Sequence, residues 1–297
     1  MFCHIFGEYL VKEKRLTQNQ LSAALDYLQT IRVKLGFIAI AEKLLTEEQV
    51  TEINLMQNTM DRRFGDIAVA KGDLTPDQVD YLLSLQGNAY LQFVQAVTEL
   101  EYLTVEEFEE EVHKFQVDSG YTDEQLESIK SGDVDRVADV IIHMEDEVSN
   151  ELARLCLRNI NRFISNNFYF GKAKQIDLCE VNRMAYQRVK GQQKWFVGFS
   201  SDEEGLLSIS NLYSKEVFDC LNSAAIESVQ EFIHCTNGLY IAKLNYYDGE
   251  EIIQKPGYCE SCTISSEGKM YSLPVVVNGK PVTIILGSDD KVNITQM

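Results

Sequence analysis

The sequence predicts a multi-domain protein, an all-α array of helical hairpins with a 29-residue period followed by an α+β domain. Three observations carry this prediction. Columns of glycine, leucine and threonine recur every 29 residues as far as about residue 116. Beyond about residue 165, stretches of apolar alternation interrupt the helical period. Asn278-Gly279 then separates two such stretches, the strongest two-residue signal for a hairpin. A chain of 297 residues, 45% hydrophobic and 25% charged, has material for about two domains.

In the first part, short helices open around Gly7, Gly36 and Gly65 (GEYLVKEK, GFIAIAEK, GDIAVAKG). Each leads through a turn to a threonine that starts a second helix: Thr17, Thr46 and Thr75, with Thr104 in a fourth copy whose glycine place holds Val94. Leu16, Leu45, Leu74 and Leu103 precede these threonines, and Leu21, Val50, Val79 and Phe108 follow four residues after them. Gln20, Gln49, Gln78 and Glu107 stand three residues on, which makes each start a capping box. Val79, Leu82 and Leu83 keep the spacing of a buried helical face. Glycine inside a helix costs up to about 1 kcal/mol against alanine, so its return in register needs a cause. Two are open: close packing of helices, or room for a ligand beside a helix start.

These columns resemble the amino-terminal MshEN domain of type II secretion and pilus ATPases. Motifs of that family begin Arg-Leu-Gly, close on a glutamine, span 24 residues and are joined by five-residue spacers. The resemblance covers about residues 1–116. It implies that two consecutive motifs bind cyclic di-GMP through the Arg-Leu-Gly and glutamine positions. The third unit supplies Arg63, Phe64, Gly65, Val79, Leu83 and Gln86, with Ala68 in place of a leucine. The second supplies Lys34, Leu35, Gly36 and Gln57, with Asn54 in place of a leucine. In the first and fourth units Ile5 and Gln92 replace the arginine, and Leu28 and Phe115 the glutamine. No GxxxxGK[ST] occurs, so the nucleotide-hydrolysing loop of those ATPases is not in this sequence.

From Glu99 to Glu127 eleven carboxylates face Lys114 alone, a run that reads as a solvated helix face. Phe108, Val112 and Phe115 keep it amphipathic and therefore folded. Ser119-Gly120 breaks it, Thr122 and Gln125 cap a further helix, and Gly132-Asp133 leads to the second domain, giving domains 1–135 and 136–297.

The second domain reads as a helix from about Val137 to Phe163, then strands in FYFGKAKQID, KWFVGFSS and GLLSISNLY. A long helix from Lys215 to Thr236 ends at Asn237-Gly238, and strands resume in LYIAKLNYY, YSLPVVV and KPVTIILGSD. Helices with antiparallel strands make an α+β domain. Over about residues 145–297 this order resembles the chemotaxis phosphatase CheX and its relatives, whose long helix carries Glu-x-x-Asn with a glycine four residues beyond. EFIHCTNG supplies Glu231, His234 in the asparagine place and Gly238. The resemblance implies docking of a response-regulator receiver domain. There the glutamate pairs with a partner lysine, and the amide orients a water in line with an aspartyl phosphate. Histidine in the amide's place points to a site that docks without catalysis. Two other registers, Glu227 with Gln230 and Glu147 with Asn150, fit the short pattern.

The remaining chemistry is sparse. Cys259-Glu-Ser-Cys262 has CxxC spacing, but zinc needs four ligands and no second pair stands nearby, so ordinary thiols are expected. The seven cysteines are odd in number and scattered, the pattern of reduced thiols in a cytoplasm. A net charge of -19 argues against nucleic-acid and anionic-membrane binding. No secretory leader, membrane-spanning run, metal cluster or required cofactor is read, while homo-oligomerisation stays open. The sequence thus predicts a non-catalytic signalling protein of bacterial type. Its partner is a receiver domain or another signalling protein, and cyclic di-GMP is the ligand that the resemblance implies. The alternative is an aspartyl-phosphate phosphatase using Glu231 and His234.

Overall fold

The computed structural model describes residues 1–28, 30, 32–57, 59–60, 62–244, 252–287 and 291–296. They form two compact units, Met1–Gly132 and Asp133–Met297.

The first unit is helical: α1 (Phe2–Lys12), α2 (Gln18–Leu28), α3 (Leu35–Ala41), α4 (Glu47–Gln57), α5 (Phe64–Lys71), α6 (Pro76–Ser84), α7 (Ala89–Glu99), α8 (Val105–Ser119) and α9 (Asp123–Ser131). Helix starts fall where the sequence provides caps. Thr75, Thr104 and Thr122 accept from the backbone three residues on, and the Gln or Glu there returns to the cap's own N–H. Thr17 with Gln20 and Thr46 with Gln49 make the same exchange. Each box satisfies two orphan amides reciprocally. Leu16, Leu45, Leu74 and Leu103 are all buried. Gly120 and Gly132 end α8 and α9 at φ of 69° and 67°, where a Cβ would be strained.

The glycine columns find a packing explanation. A Cβ on Gly36 would lie 2.7 Å from Val50 Cγ1, and one on Gly65 would lie 2.7 Å from Val79 Cγ1. Gly7 faces Leu21 in the same relation, fourteen positions on. In these three pairs the first helix thus approaches the second more closely than a side chain would allow.

The acidic run is more than a solvated face. Glu111 is buried, and its carboxylate pairs with Arg15 and Lys114. Tyr27, Tyr90 and Tyr9 donate their hydroxyls to Glu99, Glu109 and Asp118. The pattern of charges is readable in sequence, and Lys114 is a neighbour of Glu111, but Arg15 and the phenols that meet these carboxylates lie 19 to 109 residues away.

The second unit begins with α10 (Val134–Ile141) and α11 (Glu147–Asn159), which runs into a π-helical turn at Ile160–Ile164. The single helix expected over 137–163 is therefore broken. Asp146 caps a fresh start at Ser149, and Ile142 leaves helical φ/ψ with its side chain fully buried. Then follow β1 (Phe168–Phe170), β2 (Lys174–Gln175), β3 (Leu178–Lys190), β4 (Trp195–Ser201), α12 (Glu203–Ser214), α13 (Ser223–Leu244), β5 (Ile252–Ile253), β6 (Gly257–Ser266), β7 (Met270–Val277), β8 (Lys280–Gly287) and β9 (Val292–Gln296). The nine strands form one antiparallel sheet in the order β1-β7-β8-β4-β3-β6-β9, with β2 on β7 and β5 on β3. The Asn278-Gly279 hairpin is present, with both residues at positive φ, 48° and 77°.

Two expected elements change type. GLLSISNLY lies in α12, because Asp202 accepts from Gly205 N at 2.8 Å and Leu206, Ile209 and Ser210 bury at helical spacing. The long helix starts eight residues later than expected and continues through Asn237-Gly238, so Leu239 to Leu244 are helical; 245–247 of the expected strand lie outside the described residues. Burial overrides the break signal. Asn237 is fully buried with its amide partnered, and Tyr240 packs edge-on against Trp195 at 5.1 Å.

Candidate functional site

Lys34 and Arg63 precede α3 and α5 in extended conformation, so the two segments Lys34-Leu35-Gly36 and Arg63-Phe64-Gly65 enter their helices alike. Both segments, with Gln57 from the end of α4 and Gln86 just past α6, line one cavity of about 910 Å3. All eight residues singled out from the motifs are on its wall. Asn54, Leu83, Asp66, Asp80 and Glu99 join them.

The two halves are built by exchange. Gln57 Nε2 donates to the carbonyl of Arg62 at 3.2 Å, and Gln86 Nε2 donates to the carbonyl of Val33 at 3.1 Å. Each closing glutamine thus holds the residue before the other segment's cation. The apolar residues cross likewise. Phe64 lies 3.1 Å from the place of a Gly36 Cβ, and Leu35 lies 3.6 Å from that of a Gly65 Cβ. Asn54 and Gln57, three apart on α4, match Leu83 and Gln86. An arrangement in which each half completes the other suits a ligand with two equivalent ends.

Charge breaks this equivalence. Arg63 is exposed and has no ion-pair partner among the described residues. Lys34 Nζ donates to Glu99 Oε1 at 2.7 Å, and this bond raises its pKa. Tyr27 OH donates to Glu99 Oε2 at 2.9 Å, and the buried Gln95 donates to Oε1 at 3.2 Å while accepting from Lys34 N at 2.9 Å. The sequence did not reveal Glu99, Gln95 or Tyr27 as site residues. Their only signal was the fourth, degenerate copy, whose first helix carries two of them.

In the second unit Glu231 and His234 lie exposed, three residues apart on α13. Gly238 is interior to that helix, and a Cβ there would meet nothing within 4 Å. His234 is tied from behind by a chain of amides. Trp195 Nε1 donates to Asn237 Oδ1 at 2.8 Å, and Asn237 Nδ2 donates to Gln187 Oε1 at 2.8 Å. Gln187 Nε2 reaches the carbonyl of Gln254 at 2.8 Å and His234 Nδ1 at 3.1 Å. An indole N–H can only donate, so it orients the first amide, that orients the second, and Nδ1 is left to accept. The neutral ring then carries its proton on Nε2 and presents a donor outward. Gln187 carried no signal in the sequence; it sits on β3, the longest strand described, 47 positions away. Of the two other registers, Glu147 and Asn150 lie on α11, where Asn150 Oδ1 is buried with no hydrogen-bond partner among the described residues; Glu227 and Gln230 lie on α13.

Cys259 and Cys262 lie in β6, on either side of Ser261 at φ 47°. This left-handed residue turns both thiols toward the same cluster of Val181, Met184 and Ile264. Burial, then the neighbouring Cys262 thiol, pushes Cys259 up to about 12, the opposite of an activated nucleophile. Among the described residues, no group of three or more His, Cys, Asp or Glu could hold a metal ion, and no helix is long and apolar enough to cross a membrane.

No family model matches the chain, and no curated protein matches it. Solved structures do. CheX of Borrelia burgdorferi, crystallised with CheY, BeF3 and magnesium, is 13% identical, with a TM-score of 0.41 over 50% of this chain and 100% of that one. CheX of Desulfovibrio desulfuricans is 11% identical (TM-score 0.41; 48% and 98%). A CheC-like protein of Shewanella oneidensis is 18% identical (TM-score 0.41; 46% and 95%). A likeness at such identity concerns the course of the chain and gives no residue a role.

Proposed function

We propose that this chain is a non-catalytic signalling protein whose first unit senses a cyclic dinucleotide of the cyclic di-GMP type and whose second unit docks a receiver domain. The observation that carries the sensing role is the convergence of both motif segments and both closing glutamines on one cavity, each half held by the other. Cyclic di-GMP has two equivalent nucleotides and two phosphodiesters, which suits two matched half-sites. A guanidinium such as that of Arg63 can stack on a base and meet a phosphate at once. The receiver-docking role rests on the Glu231 motif and its resemblance to CheX. A phosphatase reading is the poorer fit, because His234 offers a donor outward where an amide would offer both an acceptor and donors.

The test is calorimetry of the full chain with cyclic di-GMP, paired with thermal unfolding. Saturation at about 100-fold over Kd should stabilise the first unit by about 2.7 kcal/mol. Arg63→Ala should abolish the heat signal with an unchanged unliganded Tm. No heat and no shift at millimolar ligand would remove the sensing role.

A further inference from the structure

The cavity is matched in backbone and apolar contacts and unmatched in charge. One of its two cations, Lys34, is already neutralised by Glu99, a carboxylate from α7 that belongs to neither motif segment. The Lys34 side chain is 73% exposed, so the pair is open to solvent at its cationic end, but its carboxylate end is fixed. The Glu99 side chain is a quarter exposed, and Tyr27 and Gln95 fix both of its oxygens. Gln95, 1% exposed, also holds the Lys34 N–H, so the carboxylate is braced against the same segment it neutralises. Asp66 and Asp80 add two further carboxylates to the wall. Lys34 and Arg63 against Asp66, Asp80 and Glu99 leave the site one negative charge in excess.

We infer that Glu99 is a built-in competitor for the ligand's second phosphate and sets the affinity and charge preference of the cavity. The inference rests on the reading of this cavity as a phosphodiester site. A carboxylate oxygen 2.7 Å from the Lys34 ammonium occupies the position a phosphate oxygen would take. The ligand's first phosphate meets Arg63, which has no ion-pair partner among the described residues, although Asp66 and Asp80 share its wall. Its second must displace Glu99 from Lys34 and leave that carboxylate beside a like charge, or forgo Lys34. The wild-type cavity therefore behaves as a site with one anion-binding half, and Lys34 contributes little to binding while Glu99 is charged.

The experiment is calorimetry of the full chain with cyclic di-GMP on wild type, Glu99→Gln, Lys34→Gln, the double variant, Tyr27→Phe and Arg63→Ala. Circular dichroism and unliganded Tm check the fold of each. Glu99→Gln keeps the shape and the Gln95 contact while removing the charge. It should tighten Kd about tenfold, or about 1.4 kcal/mol. Lys34→Gln should change Kd by less than about twofold in wild type and weaken it about tenfold on the Glu99→Gln background, the non-additivity of a coupled pair. Tyr27→Phe, which frees one carboxylate oxygen without touching charge, should tighten binding in the same direction and covers the case of an unfolded Glu99→Gln. Affinity unchanged or weaker in Glu99→Gln and Tyr27→Phe, with binding still lost in Arg63→Ala, would overturn the competitor role and leave the sensing role standing. Absence of binding in every variant would remove both.

Discussion

A methyl group on Gly65 would have to push Val79 aside by several tenths of an ångström, since its carbon would sit 2.7 Å from Cγ1. Overpacking of this kind costs about 1–3 kcal/mol. Gly65→Ala should therefore lower stability by about that much in denaturant unfolding, equally with and without cyclic di-GMP. Val79→Ala should recover most of the loss in the double variant. A loss seen only in the presence of ligand would show that the glycine serves ligand approach instead. The thiols offer a second check at this scale. Cys259 is held near 12 and Cys156 is pushed as high by full burial, whereas Cys220 is exposed before α13. At pH 8 iodoacetamide should label Cys220 first by more than about tenfold, because only thiolate reacts; mass spectrometry of the peptides reads the order.

Helix α1 carries its own pH dependence. Burial, and then the positive amino terminus, lower His4 from 6.5 to about 4. The folded-state value lies below the unfolded one, so the unfolded chain takes up a proton that the native chain refuses. Stability is complete above about pH 7, falls as pH drops from 6.5 toward 4, and does not return below that. At pH 5 the deficit from this one group is about 2 kcal/mol. His4→Gln should flatten the pH 7 to 5 difference in unfolding free energy by about that amount, and an unchanged slope would contradict a half-buried imidazole held neutral. The helix starts were legible residue by residue, because a capping box is local and five of them sit where the threonines are. Residues 205–213 were not. Apolar alternation and a helical stripe overlap over so short a run, and the decision fell to burial of Leu206 and Ile209.

For the molecule as a whole, the proposed receiver-docking role and the weak case for catalysis make one joint prediction. Phosphorylated receiver domains should lose phosphate no faster with this protein than alone, measured by radiolabel decay over several receivers. Catalysis needs a water held in line, and small misplacements are costly. His234 is tied through Nδ1 to Gln187 and turns an N–H outward. Fast decay with wild type, lost in Glu231→Ala, would show that imidazole does the work of an amide. With 46 acidic against 27 basic residues, the proposed docking and cyclic di-GMP binding would both take place in a repulsive field and should be sensitive to salt.

What is periodic or local can be read from the order of residues alone. The 29-residue register placed Lys34 and Arg63, Gly36 and Gly65, and Gln57 and Gln86 at equivalent positions in the sequence, and all six line one cavity. The caps at Thr75 and Thr104 and the turn at Asn278-Gly279 depend on neighbours within three residues and needed no fold to read them. Contacts that join distant positions depend on how the chain packs. Glu99 reaches Lys34 across 65 residues, Gln187 reaches His234 across 47, and Gln86 reaches back 53 to Val33. The same is true of α13, which runs through Asn237-Gly238 because Trp195, brought there by β4, satisfies the amide that would otherwise have ended the helix. Such partners have no fixed spacing along a chain; which side chain neutralises or orients another is settled by packing alone.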